Sequence, residues 1–197
     1  MIADGKRGDV PVTAAAYGQA LVGETPTPWG PVPGLGADAF TANPLLGGDA
    51  LDPLIDAAAA AGAGIFVLVR TSNPGAADVL DLPAPDRPLH ERLAERVAAG
   101  AERLAASGPS GLSGLGAVVG ATEPAYLPRL RELMPSSIFL LPGVGAQGGR
   151  PSDLAPAFAG HPASALVAAS RAIAAADAPG AAAETLRAQV WALGSVE

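Results

Sequence analysis

IFLLPGVGAQGG, Ile138 to Gly149, and ALVAASRAI, Ala165 to Ile173, are the stretches whose reading decides the fold. Each is a short apolar run followed by groups that suit an anion. In the first, glycines let backbone N–H groups come close to a phosphate, and Gln147 adds an amide that can donate or accept. In the second, Arg171 stands beside small residues where a helix would begin, so guanidinium and helix terminus point the same way. Alone, each signal is weak, because Gly-rich loops are common and a lone Arg is usually a surface residue. Together they follow the last two strand candidates of the chain. In (β/α)8 barrels that is where a phosphate site is frequently built, which favours a barrel over an open doubly wound sheet.

Toward the N-terminus, apolar runs keep alternating with amphipathic stretches. Met1–Ala3, Ala37–Ala42, Ile65–Val69, Gly116–Gly120, Ile138–Leu141 and Ala165–Ala169 predict strands. Thr13–Val22, Leu51–Ala61, Leu89–Ala106, Pro124–Met134, Ser152–Phe158 and Ala181–Leu193 predict the helices between and after them. Six βα units in succession imply the α/β class, with parallel strands and helices outside. Apolar runs without alternation fit strands buried on both faces. The Pro-rich stretch Thr25–Pro33 reads as an extended surface loop, because the βα rhythm resumes directly after it. Residues 1–197 therefore read as a single domain.

Composition narrows the function classes. With 49% hydrophobic and 16% charged residues, the chain is not an intrinsically disordered one. It has no cysteine, which excludes disulfides, thiolate metal sites and a Cys nucleophile. The net charge of −7 argues against a nucleic-acid partner but permits one small phosphorylated ligand at a local positive site. No apolar stretch reaches the roughly 18 residues of a membrane span, so a cytoplasmic protein with no membrane partner is expected.

Two further motifs carry chemistry. In Asp4-Gly5-Lys6-Arg7-Gly8-Asp9, Asp4 and Lys6 are two apart and would share a face of an extended segment. An ammonium held among carboxylates stays protonated and can give a proton to a reacting carbon. The same string also reads as a solvated charged turn. In Arg70-Thr71-Ser72-Asn73-Pro74-Gly75, hydroxyl and amide groups at a strand end can bond a polar ring, or can simply cap a Pro-Gly turn. Asn43-Pro44 also follows a strand and fits either a substrate contact or a turn. His90 is expected on the solvent face of its helix, and His161 in a loop; their separation predicts no metal site. Trp29 is expected to pack against the barrel or a partner subunit.

DGKRGD with Thr13 four residues beyond Asp9, RTSNPG, and LPGVGAQGG followed by SRAI resemble the orotidine 5′-phosphate decarboxylase family in its longer bacterial subgroup. The similarity runs in register from Met1 to about Ala175. DxKxxD is shared with other barrels of that superfamily; RTSNPG and PGVGAQGG discriminate more sharply. The resemblance implies a TIM barrel that converts orotidine 5′-monophosphate to uridine 5′-monophosphate in pyrimidine biosynthesis, with no metal or organic cofactor. Lys6 would protonate the carbon that loses CO2, and Asp4 would sit beside the substrate carboxylate. Asp9 and Thr13 would reach across a homodimer interface into the partner's site. Ser72 would contact the pyrimidine, Gln147 would bridge pyrimidine and phosphate, and Arg171 would bind the phosphate.

The family's barrel carries two more βα units before the DxKxxD strand, bearing a ribose-binding Asp and a second Lys. Here the motif begins at Asp4, so the expectation is an incomplete barrel of about six units, short of the roughly 250 residues typical of the fold. Its open edges would invite aggregation or pairing, so the polypeptide alone is expected to be inactive or poorly folded, and the natural protein to start upstream. Two rivals stand beside this reading. One is a related sugar-phosphate barrel with metal-assisted chemistry; the other is a non-catalytic truncated barrel that binds phosphate or assembles with another subunit.

Overall fold

The protein is described here by a computed structural model over residues 1–105 and 110–194. Six parallel strands form one sheet: β1 (Ile2–Arg7), β2 (Ala39–Ala42), β3 (Gly64–Arg70), β4 (Ser113–Val119), β5 (Ser137–Pro142) and β6 (Ala165–Ala168). Their order in the sheet is their order in the chain. A doubly wound sheet reverses direction at a switch point, whereas a barrel adds every strand on the same side. This sheet never reverses, so its winding is that of a barrel wall, with β1 and β6 as edges that do not pair with each other.

The helices are α1 (Pro11–Leu21), α2 (Gly48–Ala61), α3 (Ala77–Leu80), α4 (Leu89–Gly100), α5 (Leu127–Leu133), α6 (Arg171–Ala174) and α7 (Pro179–Gly194). Between α5 and α6 the crossover is a 3-10 helix, Pro151–Phe158, where Pro156 sits inside and an α-helical ladder would lose a donor. The predicted helix to Ala106 becomes α4 plus a 3-10 turn, Ala101–Leu104; Ala106 itself lies outside the described residues.

Helices and sheet enclose the main core. Phe40, Val67, Leu115, Phe139 and Leu141 meet Leu54, Val97, Leu127 and Leu130, each nearly or fully inaccessible. Burying one such side chain contributes about 1.5–3 kcal/mol. The opposite face of the sheet carries only a small cluster, Ala39, Phe66 and Val118, with Ile2, Leu68, Ile138 and Leu140 half-buried. Burial along β5 consequently alternates, and Leu166 of β6 is 44% exposed. The expectation of strands buried on both faces holds for β2 and for most of β3 and β4, and fails along β5 and β6, whose inner-face residues are partly accessible.

Three local readings change. The strand expected to stop at Ala3 continues to Arg7, so Asp4-Gly5-Lys6-Arg7 is strand and not turn. Thr25–Pro33 is part of a small antiparallel hairpin, Glu24–Thr25 with Val32–Pro33, and Trp29 at its tip is 94% exposed, which leaves of the two expected packings only that on a partner subunit. His90, expected in solvent, is only 3% exposed. It lies at i, with Leu93, Ala94 and Val97 at i+3, i+4 and i+7, on the apolar stripe of α4.

Candidate active site

All six strands run parallel, so the segments leaving their C-terminal ends gather on one rim of the sheet. That rim carries Gly8 to Thr13 after β1, Asn43 after β2, Thr71 to Asn73 after β3, Thr122 after β4, Gly143 to Gly149 after β5 and Arg171 after β6. Sequence positions far apart are thereby assembled by topology alone.

The Asp4–Lys6 pair sits on an irregularity in β1. Ala3 pairs with Phe40 and Arg7 with Ala42, so β1 uses four steps where β2 uses two. The surplus makes a bulge, the device that re-aims side chains near sites. Lys6 takes φ 47°, the only positive value of a non-glycine residue among the described residues. Its Nζ donates to Asp4 Oδ1 at 2.6 Å. Thr41 Oγ1 donates to the same oxygen at 2.9 Å, and the Lys6 backbone N–H donates to Thr41 Oγ1 at 2.8 Å. The Lys6 ammonium holds the Asp4 carboxyl below the usual carboxylate range, against the opposing effect of partial burial and with help from the Thr41 hydroxyl.

Asp9 and Thr13 are not joined to this pair. Asp9 Oδ1 accepts the N–H of Val10 at 2.7 Å, next to the start of α1, and no hydrogen bond or ion pair links either residue to Asp4 or Lys6. Asn43 takes the turn role: its Oδ1 accepts the Leu45 N–H at 3.0 Å, while its own N–H donates to Arg7 O at 2.8 Å.

Ser72 and Gln147 do meet. Ser72 Oγ donates to Gln147 Oε1 at 3.0 Å, joining the loops after β3 and β5. Gly143, at φ 107°, makes this approach possible: a Cβ there would lie 3.0 Å from Ser72 Cβ and 3.1 Å from Thr122 Cγ2. Thr122 Oγ1 in turn donates to Ser72 O at 3.0 Å. Ser72, Thr122, Glu123 and Gln147 line a cleft of about 450 Å³ with Arg70 and Asn73. The Gly-rich loop also reaches α6, since a Cβ on Gly145 would stand 2.7 Å from Ala172 Cβ. Arg171, beside Ala172, is exposed and forms no ion pair with the described residues.

Behind the Ser72 loop lies a buried polar network. Arg70, 5% exposed, donates from Nε and Nη2 to the two oxygens of Asp81 at 2.8 and 2.9 Å, and from Nη1 to Thr71 O at 2.9 Å. Tyr126 places its ring under the guanidinium at 4.9 Å and donates its hydroxyl to Asp81 Oδ2 at 3.1 Å. His90 Nδ1 lies 2.9 Å from Leu80 O, a contact that requires a proton on that nitrogen, and 3.2 Å from Asp81 Oδ1.

Sequence reading missed Thr41, Thr122 and this network. Thr122 had a usable signal, its place just past the end of a strand. Thr41 had none, because it stands inside an apolar run.

Residues 1–186 match the model of the orotidine 5′-phosphate decarboxylase / HUMPS family. The chain is 44% identical over 154 residues to orotidine 5′-phosphate decarboxylase of Caldicellulosiruptor bescii, covering 78% of this chain and 50% of that one. It is 43% identical over 176 residues to the same-named protein of Deinococcus radiodurans, covering 88% and 58%. The solved structure of Leishmania donovani OMP decarboxylase superposes with a TM-score of 0.73 at 33% identity, covering 99% of this chain and 68% of that one. The chain thus spans about half the length of the curated relatives it matches.

Proposed function

Because the chain belongs to the orotidine 5′-phosphate decarboxylase / HUMPS family, we propose that it decarboxylates orotidine 5′-monophosphate to uridine 5′-monophosphate, in the cytoplasm, as a step of pyrimidine biosynthesis. The observation that carries this is the Asp4–Lys6 pair on the β1 bulge, an ammonium 2.6 Å from a carboxylate that stays ionised. The C–C bond to the leaving carboxylate breaks, CO2 departs, and its electron pair remains on the ring carbon. Lys6 Nζ gives that carbon a proton and is then reprotonated from water. Asp4 keeps the lysine aimed, and places negative charge beside the substrate carboxylate.

The rest of the rim supplies binding. Ser72 and Gln147, already bonded to each other, face the pyrimidine; Gln147 and the Gly-rich loop lead to the phosphate, which Arg171 neutralises. Phosphate contacts far from the reacting carbon contribute binding energy that the transition state can use. Asp9 and Thr13 serve the site of a second subunit. In support, Val10 and Val12 beside them are 54% and 84% exposed, and Leu45 and Leu46 on the adjoining loop are exposed as well, an apolar surface suited to a homodimer. The metal-assisted sugar-phosphate alternative shares DxKxxD, and RTSNPG and PGVGAQGG count against it.

Turnover of orotidine 5′-monophosphate by the barrel completed with the two preceding βα units of its relatives, and by the Lys6→Ala variant of that form, tests the reading. The expected result is formation of uridine 5′-monophosphate, roughly 10³-fold slower in the variant, with nucleotide binding retained. Equal turnover in both would remove Lys6 as the proton donor. Binding without turnover in the unsubstituted completed barrel would favour the non-catalytic phosphate-binding alternative.

A further inference from the structure

We propose that Thr41 is a positioning residue of this centre: its single hydroxyl fixes both the Asp4 carboxylate and the backbone that aims Lys6. Its part in turnover rests on the decarboxylase reading above; its hold on Asp4 does not.

Thr41 lies on β2 one step from Phe40 and Ala42, which face the helices, so its side chain shares the inner face with Ala39. It is 1% exposed, in a four-residue strand whose other members are Ala39, Phe40 and Ala42. A polar group so placed must be satisfied locally. Thr41 is satisfied by two members of the active centre and by them alone among the hydrogen bonds of the described residues: it donates to Asp4 Oδ1 and accepts from Lys6 N–H. A hydroxyl has one proton, and here its direction is dictated by the carboxylate, leaving a lone pair for the Lys6 amide.

The arrangement answers a need created by the bulge. Where β1 slips relative to β2, the Lys6 N–H is diverted from the ladder to Thr41 Oγ1. Even a partly buried donor left without a partner costs stability, and a left-handed non-glycine residue is strained in addition. The Thr41 bond offsets both. Asp4 Oδ1 receives Lys6 Nζ and Thr41 Oγ1 together, so removing the hydroxyl frees the carboxylate to rotate about its one remaining anchor. The groups acting on Asp4 are Lys6 from its own strand and Thr41 from the neighbouring one, and both lower its pKa.

The test is the titration of the Asp4 carboxyl carbon by NMR in the 197-residue chain, its signal assigned by its loss in Asp4→Asn. Thr41→Val keeps the β-branched shape and removes the hydroxyl. Thr41→Ser and Thr41→Ala form a second pair that differs only in that hydroxyl, so the comparison survives if the valine variant does not fold. The expected result is an upward move of the Asp4 titration in Val and Ala and its recovery in Ser. Turnover should follow the same order, with kcat down roughly tenfold in Val and Ala and KM little changed, the worth of one hydrogen bond to a charged group. A purely structural threonine would change stability and leave the Asp4 titration where it was; that result would overturn the inference. If Asp4 shifts as expected but the barrel completed with its two preceding βα units, unsubstituted at Thr41, does not decarboxylate, the inference stands and the decarboxylase reading falls.

Discussion

Lys6 concentrates the backbone strain of the described chain in one residue: a left-handed φ of 47° costs an L-residue about 1–2 kcal/mol. Strain of this kind persists only where neighbours over-determine it, and here the neighbours are a buried threonine and a charged aspartate. A second residue-scale device is the Arg70–Asp81 pair. Arg70 first, and then the Tyr126 hydroxyl, hold the Asp81 carboxyl below its ordinary range despite the opposing effect of burial. Because its folded pKa lies below the unfolded one, this pair's contribution is full above the usual carboxylate range and is lost as pH falls through the folded value. Asp81→Ala should cost about 3 kcal/mol at neutral pH by leaving a guanidinium buried without its partner. Urea unfolding of both forms at neutral and acidic pH checks this. The gap should narrow in acid; a gap independent of pH would assign the effect to packing.

Among the elements, α5 and β5 are joined through one side chain. Arg131 is 6% exposed and faces no carboxylate. Its Nη1 donates to Met134 O at 2.8 Å and Ser137 O at 2.7 Å, and its Nη2 to Ala157 O at 2.8 Å and Ser164 O at 3.0 Å. The guanidinium also lies 3.8 Å above the Phe139 ring. Burial pushes it down to about 10, still far enough above neutral to keep it charged. One fork thus ties the end of α5, the start of β5, the 3-10 helix and the approach to β6. Arg131→Lys keeps charge but not the planar fork, and should lower stability by about 2 kcal/mol in denaturant unfolding; a variant within 0.5 kcal/mol of the parent, roughly the spread of a surface change, would contradict the role. The element pattern itself was readable in the sequence, because runs such as Ile65–Val69 and stripes such as Leu93, Ala94 and Val97 are periodic. What was not readable involved tertiary partners. The β1 bulge depends on β2, the burial of His90 and Arg131 on the carbonyls they meet, and the role of Thr41 on a slip between two strands. Asp4 with Lys6 was legible from the two-residue spacing, and Ser72 and Gln147 through the resemblance carried by RTSNPG and PGVGAQGG, though not their bond to each other, whereas a Thr inside an apolar strand looks like any other.

Over the whole molecule, unidirectional winding is the feature with the widest consequence. It sends every strand's C-terminal end to one rim, so segments far apart in the sequence, from the end of β1 to Arg171 after β6, are brought to the same rim. It also leaves the inner face lightly packed, with Ile138, Leu140 and Leu166 partly accessible, and two sheet edges in β1 and β6. The central claim is that this rim is one nucleotide site, with its proton donor on β1 and its phosphate end at β6. A crystal structure of the chain with uridine 5′-monophosphate tests it most directly. The account predicts the phosphate on Arg171 and the Gly143–Gly149 loop, the pyrimidine against Ser72 and Gln147, and the ring carbon that carried the carboxylate facing Lys6 Nζ. A nucleotide held elsewhere, or seated on the rim with that carbon turned away from Lys6, would contradict it.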